Sequence, residues 1–316
     1  LAPALASPRA RRLFVVSIGI DAYPGGLFRP LRYAVADAQA MAELFGRATL
    51  SEEMPRPPLQ RVPIRIEGTA DRPATRADVE RAFAQLRQAR PDDVVVISFS
   101  GHGYTDAAGR FFLVPSDVRS VVGAGGEKPV PASMIAADDL AGWLAPVDAG
   151  AIYMVIDACH SAASVQAGGF KPGPMGDPGL GQLAYDKGIS ILSASAPDQF
   201  AMEASDLGHG LLTYAFVVEG AWRGKADVPE GDEDPKPDGH VTMDELMDHA
   251  VRALPAAEAR FDEGGARGDG PGLVVEWKGP PPPRQTPRLF NFAADWSRVG
   301  VAVGPPPGVA PAGGAR

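Results

Sequence analysis

Val94-Val95-Val96-Ile97-Ser98-Phe99-Ser100-Gly101-His102-Gly103 begins as an unbroken apolar run and ends in small and polar residues. Consecutive β-branched residues without polar alternation predict a strand buried on both faces, the mark of a parallel sheet covered by helices. Ile152-Tyr153-Met154-Val155-Ile156 repeats the pattern and breaks just as abruptly at Asp157-Ala158-Cys159. Working outward, Leu13 to Ile20 and Arg61 to Ile66 read as further strands, and Tyr33, Met41, Leu44 and Phe45 as one face of a helix between them. Thr75 with Asp78 three residues on predicts the N-cap of a helix through Val79, Phe83 and Leu86, and Ser133 the opening of another through Leu140 and Trp143. Ile189 to Leu192 and Leu211 to Val218 continue the alternation. The fold class is α/β, a mostly parallel central sheet flanked by helices.

The 316 residues are 45% hydrophobic, enough for a sizeable core, and carry a net charge of −9. An acidic chain lacks the clustered Lys and Arg that phosphate backbones require, so no nucleic-acid partner is expected. No apolar run approaches the roughly eighteen residues of a membrane span, so a soluble chain with no membrane partner is expected. Ala4-Leu5-Ala6 before Ser7 has the small-x-small form of a signal-peptidase site and reads equally as an Ala-rich linker, which leaves localisation between export and cytoplasm. The 37 glycines and 32 prolines concentrate locally, giving an N-terminal tail over 1–12, a domain over 13–278 with Gly/Pro-rich loops at 161–188 and 223–240, and a proline-rich tail over 279–316 expected to lack regular structure.

A single cysteine excludes an internal disulfide and any CxxC metal or redox site, so Cys159 is either a buried filler or a reactive thiol. Its place just past a buried strand suits the second role, because ligands in such sheets gather outside the carboxyl ends of the strands. A thiol at its free pKa is only a few per cent thiolate at neutral pH and needs a base within reach. His102 follows the other buried strand, and adjacent strands would bring the two together. Backbone N–H groups of Gly103 and Cys159, in turns leaving those strands, would then face a developing oxyanion. His160 adjoins the cysteine, where the two side chains are expected to diverge, while His209, His240 and His249 fall in loops or helices.

Phe99-Ser100-Gly101-His102-Gly103, Phe111-Phe112-Leu113-Val114-Pro115 and Ile156-Asp157-Ala158-Cys159-His160-Ser161 together resemble the histidine and cysteine motifs of caspase-like peptidases, most of all bacterial metacaspases. Leu13 to Asp21, Leu31 to Asp37, Ser193 to Gln199 and Gly208 to Phe216 look like further elements of that family, so the resemblance spans roughly residues 12 to 255. It implies a caspase-like α/β/α sandwich, a His102/Cys159 dyad with no third residue needed to orient the histidine, and peptide hydrolysis through a thioester. The separation of the two residues fits the roughly fifty expected of caspases, but the true caspase signature around the cysteine is absent. Asp157 stands where that signature has Gln. By similarity to metacaspases, Asp157, Asp37 and Ser100 line a pocket for a basic P1 side chain, which implies protein or peptide substrates cut after Arg or Lys. From residues alone, Asp157 reads also as a capping carboxylate and Asp37 as a helix-surface charge. Ala162 replaces the glycine that usually closes the cysteine motif.

Lys171 and Lys187 in the 161–188 loop are candidate self-cleavage sites for such an enzyme. No cofactor is required by this chemistry. Calcium activation, known in many metacaspases, stays open. Asp234 to Glu245 ends like a calcium loop, but Pro235, Lys236 and Pro237 spoil its first half, and Thr242 with Glu245 reads as a capping box. Glu245 and His249, four apart, lack a third zinc ligand, and Gly123 to Gly126 reads as a flexible loop rather than a phosphate cradle. Two other readings fit the pattern: a non-catalytic interaction module on the same fold, and a thiol hydrolase of another acyl substrate.

Overall fold

The apolar runs of the sequence become neighbouring strands of one sheet. The computed structural model describes residues 10–50, 59–106, 108–123, 126–160, 178–194, 203–204, 208–227, 237, 239–265, 287–292 and 299–307, with backbone alone for Leu50, Cys159, His160, 178–180, Leu183, Glu203, Ala204 and 257–265. The elements run β1 (Arg11–Ile20), α1 (Ala34–Gly46), β2 (Thr49–Leu50), β3 (Leu59–Gly68), α2 (Arg76–Gln85) and β4 (Val94–Thr105). Next come β5 (Phe111–Leu113), β6 (Ser120–Gly123), β7 (Gly126–Pro129), β8 (Ile135–Ala136), α3 (Ala137–Leu144), β9 (Ala151–His160), α4 (Pro178–Lys187) and β10 (Ile189–Ser193). After β11 (Glu203–Ala204) and β12 (His209–Gly210), α5 (Leu211–Thr213) runs into a π-helical stretch, Tyr214–Trp222. β13 (His240–Thr242), α6 (Met243–Gly265), β14 (Arg288–Asn291) and β15 (Val299–Ala302) complete the chain.

The main sheet has the order β14-β10-β9-β4-β1-β3, parallel from β10 to β3 and closed at one edge by antiparallel β14. Alternate residues of each buried strand feed two cores, which is why the runs are apolar without alternation. One core gathers Phe14, Val16, Phe83, Leu140 and Met154 under α2, α3 and α4. The other gathers Val15, Met41, Phe45, Tyr153, Phe216 and Leu246 under α1, α5 and α6. The result is the expected α/β/α arrangement. Among the described residues no helix is long and apolar enough to cross a membrane.

Buried polar groups fix the register at the start of the sheet. Asp93, fully buried, accepts hydrogen bonds from the Arg12 backbone N–H at 2.8 Å, Arg12 Nε at 2.9 Å and the Arg90 backbone N–H at 2.9 Å. Burial alone would raise its pKa. Hydrogen bonds from Arg12 and Arg90 outweigh that and hold it below the ordinary carboxylate value, so the carboxylate ties the beginnings of β1 and β4 together. At the other end of β1, a Cβ on Gly19 would lie 2.1 Å from the Ala34 carbonyl oxygen. Only glycine lets the N-terminus of α1 sit this close to the strand, and that contact brings Asp37, in the first turn, against the carboxyl ends of the strands.

Several expectations change. Thr75 and Asp78 cap α2 as read, with Asp78 N–H to Thr75 Oγ1 at 3.1 Å and Thr75 N–H to Asp78 Oδ2 at 2.8 Å. Ser133 opens no helix. Its hydroxyl accepts from the Arg119 N–H at 2.9 Å and donates to the Val130 carbonyl at 2.7 Å, while α3 starts at Ala137 with the Asp139 carboxylate capping the Ala136 N–H at 2.9 Å. Gly123 and Gly126 face each other at the ends of the paired strands β6 and β7, with Gly126 at φ +93°. Thr242 and Glu245 form the capping box of α6, at 2.7 Å and 3.3 Å, so Glu245 is engaged there. Asp234, Pro235, Lys236 and Asp238 of the calcium-like stretch lie outside the described residues.

The tail reading needs a larger correction. β14 covers the open edge of β10, with Ser190 Oγ hydrogen-bonded to Asn291 Oδ1 at 2.6 Å, and β15 is paired with both β13 and β2. Val299 and Val301 are buried in the second core. Short apolar pieces such as Leu289-Phe290 carry no periodicity of their own and become strands because a sheet edge offers unpaired backbone groups. The loop expected over 161–188 likewise contains α4. Lys187 ends that helix with Nζ directed at the Ala145 and Val147 carbonyls, a helix C-terminal lysine rather than an extended cleavage site. Lys171 lies outside the described residues.

Candidate active site

Parallel pairing of β4 with β9 sets Ser100 opposite Asp157 and His102 opposite Cys159. This register brings the candidate base and the single cysteine onto neighbouring strands at one end of the sheet. Both lie within strands and not in turns beyond them, because β5 pairs back on β4 (Gly103 with Leu113) and extends the ladder to Thr105. Gly103 consequently sits between Leu113 and His160. The side chain of Cys159 lies outside the described residues.

His102 is 2% exposed and held by the loop between β1 and α1. Its ring lies 4.7 Å from Tyr23 and 5.4 Å from Phe28, centroid to centroid, and its backbone N–H donates to Tyr23 Oη at 2.8 Å. Nε2 is 2.8 Å from the Arg29 carbonyl oxygen. A carbonyl only accepts, so Nε2 carries the hydrogen and Nδ1 holds the lone pair. Nδ1 is buried and has no hydrogen-bond partner among the described residues. Burial pushes the His102 pKa down to about 4, with the hydrogen bond to the Arg29 carbonyl offsetting part of the fall and the Arg29 charge adding to it. The imidazole is therefore neutral at pH 7 with a bare nitrogen.

This burial has a measurable consequence. The unfolded histidine titrates near 6.5 and the folded one near 4, so between those values the unfolded state binds more protons. The contribution to stability is complete above about 6.5 and is lost as pH falls towards 4. At pH 4.5 wild type is expected to have lost about 2.5 kcal/mol more than His102→Gln relative to pH 7.5, measured by urea unfolding at both pH values. Equal losses in the two proteins would contradict a neutral buried imidazole.

The expected pocket residues also converge. Asp37 is 2% exposed, which excludes the reading as a surface charge. Ser100 Oγ donates to its Oδ2 at 2.8 Å, the Gly210 N–H to Oδ1 at 3.1 Å and Oδ2 at 3.2 Å, and His209 Nδ1 lies 3.0 Å from Oδ1. Burial raises the Asp37 pKa, and the contacts with His209, Ser100 and Gly210 offset only part of that rise. Asp157, also buried, accepts at Oδ2 from the Thr213 N–H at 3.1 Å and Thr213 Oγ1 at 3.0 Å. A Cβ on Gly210 would stand 2.5 Å from Asp157 Oδ2 and 3.0 Å from Asp37 Oδ2, so only glycine passes between the two carboxylates. Among the described residues a cavity of about 10 Å³ lies between Asp37, Ser100, Asp157, Thr213 and Met41, room for about one water molecule.

Sequence reasoning missed four parts of this site. Arg29 acts through its carbonyl, which every residue possesses. Tyr23 and Phe28 sit in an irregular loop without periodicity. Thr213 fell inside the Gly208 to Phe216 stretch, yet nothing in its surroundings marks it as a partner of Asp157. His209 read as a loop histidine. No group of three or more His, Cys, Asp or Glu side chains placed to hold a metal ion occurs among the described residues.

A family model described as the caspase domain of peptidase C14 matches residues 12–228. Among solved structures the chain is similar to protein GSU0716 from Geobacter sulfurreducens, with a TM-score of 0.48 and 16% identity over 94% of this chain and 95% of that one. No curated protein matches it.

Proposed function

The chain belongs to the caspase-domain family of peptidases, C14, and from that membership we propose that it is a cysteine endopeptidase cutting peptide bonds after Arg or Lys. The observation that carries the reading is the β4–β9 register, which sets a neutral imidazole with a bare Nδ1 on the strand beside the chain's single cysteine. In the proposed reaction Nδ1 takes the Cys159 thiol proton and the thiolate attacks the carbonyl carbon of the scissile bond. The Arg29 carbonyl stabilises the resulting imidazolium through Nε2–H, so no side chain is needed as a third member. Amides of Gly103 and Cys159 are the proposed donors to the tetrahedral oxyanion. The Nδ1 proton passes to the leaving amine as the C–N bond breaks, leaving a thioester. His102 then deprotonates water, which attacks the thioester and returns the thiol.

The basic preference is supported by two buried carboxylates, Asp37 and Asp157, with Ser100 and Thr213 holding their oxygens in place. Buried acids in a pocket favour an incoming guanidinium or ammonium over a neutral or acidic group. Fluorogenic peptides differing only at P1 test this: Arg and Lys substrates are expected to exceed Asp and Phe substrates by at least about 100-fold in kcat/KM. Turnover of the Asp substrate with none of the Arg substrate would overturn the specificity. No turnover of any peptide, together with no thiol labelling, would favour the non-catalytic module.

A further inference from the structure

We propose that His209 is a specificity-determining residue that keeps the basic-side-chain pocket shut from within, its imidazole taking the hydrogen-bonding position on Asp37 that a substrate's basic group must occupy. The proposal rests on the reading of Asp37, Ser100 and Asp157 as that pocket, and deepens it. A carboxylate offers about four acceptor positions on its two oxygens. On Asp37 three donors occupy them: His209 at Oδ1, Ser100 at Oδ2 and the Gly210 N–H shared between both oxygens. A guanidinium pairs with a carboxylate through two parallel N–H to O bonds, so it cannot approach until one of those donors leaves. Among the described residues the cavity beside the carboxylates, about 10 Å³, is far smaller than an arginine or lysine end group.

Of the donors, His209 is the one able to leave. Ser100 is anchored inside β4, and Gly210 continues directly into α5. His209 is held by the short β11–β12 ladder, Ala204 with His209 and Glu203 with Gly210, and its side chain is 16% exposed, so it has a route to solvent. Gly208 beside it has φ +68°, a left-handed bend that glycine adopts without strain. The arrangement also accounts for how Asp37 can be buried. A carboxylate so deeply desolvated is costly without partners, and His209 supplies one until a stronger ion pair replaces it. A neutral P1 side chain, lacking two donors and a charge, has nothing to offset the loss of the His209 contact. The histidine thus sharpens the preference for basic residues at some cost in affinity.

Benzamidine, a planar amidinium that imitates the end of an arginine side chain, tests this without any need for turnover. By calorimetry on the full chain, His209→Ala is expected to bind it about tenfold more tightly than wild type, and Asp37→Asn to abolish binding. Equal or weaker binding by a folded His209→Ala, with Asp37→Asn still without binding, overturns the role of His209 and leaves the pocket standing. Binding unaffected by Asp37→Asn overturns the pocket reading and the His209 proposal with it. The wild-type chain gives a second test that does not depend on the folding of His209→Ala. Its His209 ring nitrogen resonances, assigned by comparison with His209→Gln, are expected to move from carboxylate-bonded to solvent-exposed values at saturating benzamidine. Unmoved resonances at saturation overturn the proposal.

Discussion

Replacing His102 with Gln is expected to lower kcat/KM on an Arg-P1 peptide by about 10³-fold, and replacing Cys159 with Ala to abolish turnover. Gln fills much of the space between Tyr23 and Phe28, and its amide N–H can still donate to the Arg29 carbonyl, so the loop should keep its place. What it lacks is a nitrogen able to accept and return a proton. Without that base the thiol remains protonated at neutral pH, and the leaving amine has no proton donor. Because the proposed reaction uses both residues in the same step, the double variant should be no worse than Cys159→Ala alone. A His102→Gln enzyme within tenfold of wild type would mean that some other group removes the thiol proton.

Asp157→Asn and Asp37→Asn are each expected to reduce kcat/KM for Arg and Lys peptides by about 100-fold or more, in the range found when one partner of a buried charge pair is lost. Asn retains an oxygen to accept the Thr213 donors at position 157 and the Ser100 donor at position 37, so the shape persists while the charge and the acceptor at Asp37 Oδ1 go. Hydrolysis of a small activated ester without a basic side chain should change little, because its acylation uses the His102/Cys159 step alone. Equal losses on both substrates would show that the carboxylates organise the sheet end and do not select the substrate.

Much of this arrangement was visible in the sequence because buried parallel strands write themselves as uninterrupted apolar runs. Val94 to Ile97 and Ile152 to Ile156 identified two central strands, and the residues following them identified where chemistry would gather. Their adjacency is a property of the sheet order, which local pattern does not encode. Asp37 illustrates a different limit. Alone it reads as a helix-surface acid, and only the Gly19 to Ala34 contact, a long-range packing feature, turns that helix end towards the strand ends. Resemblance to a family supplied what periodicity lacked at that position. The Arg29 carbonyl and the His209 imidazole were illegible for opposite reasons. The first has no side-chain signature, and the second belongs to a Gly-His-Gly stretch whose partner is 172 residues away. Strands β14 and β15 were missed because short segments in proline-rich surroundings take their structure from the edges they cover.

In the proposed reaction the imidazole of one strand removes a proton from the thiol of the next. An Arg chloromethylketone, reacted at pH 7 and mapped by peptide mass spectrometry, tests it most directly. Alkylation is expected to be confined to Cys159 in wild type and slowed by orders of magnitude in His102→Gln. Alkylation at another residue, or at Cys159 with the same rate in both proteins, would contradict it.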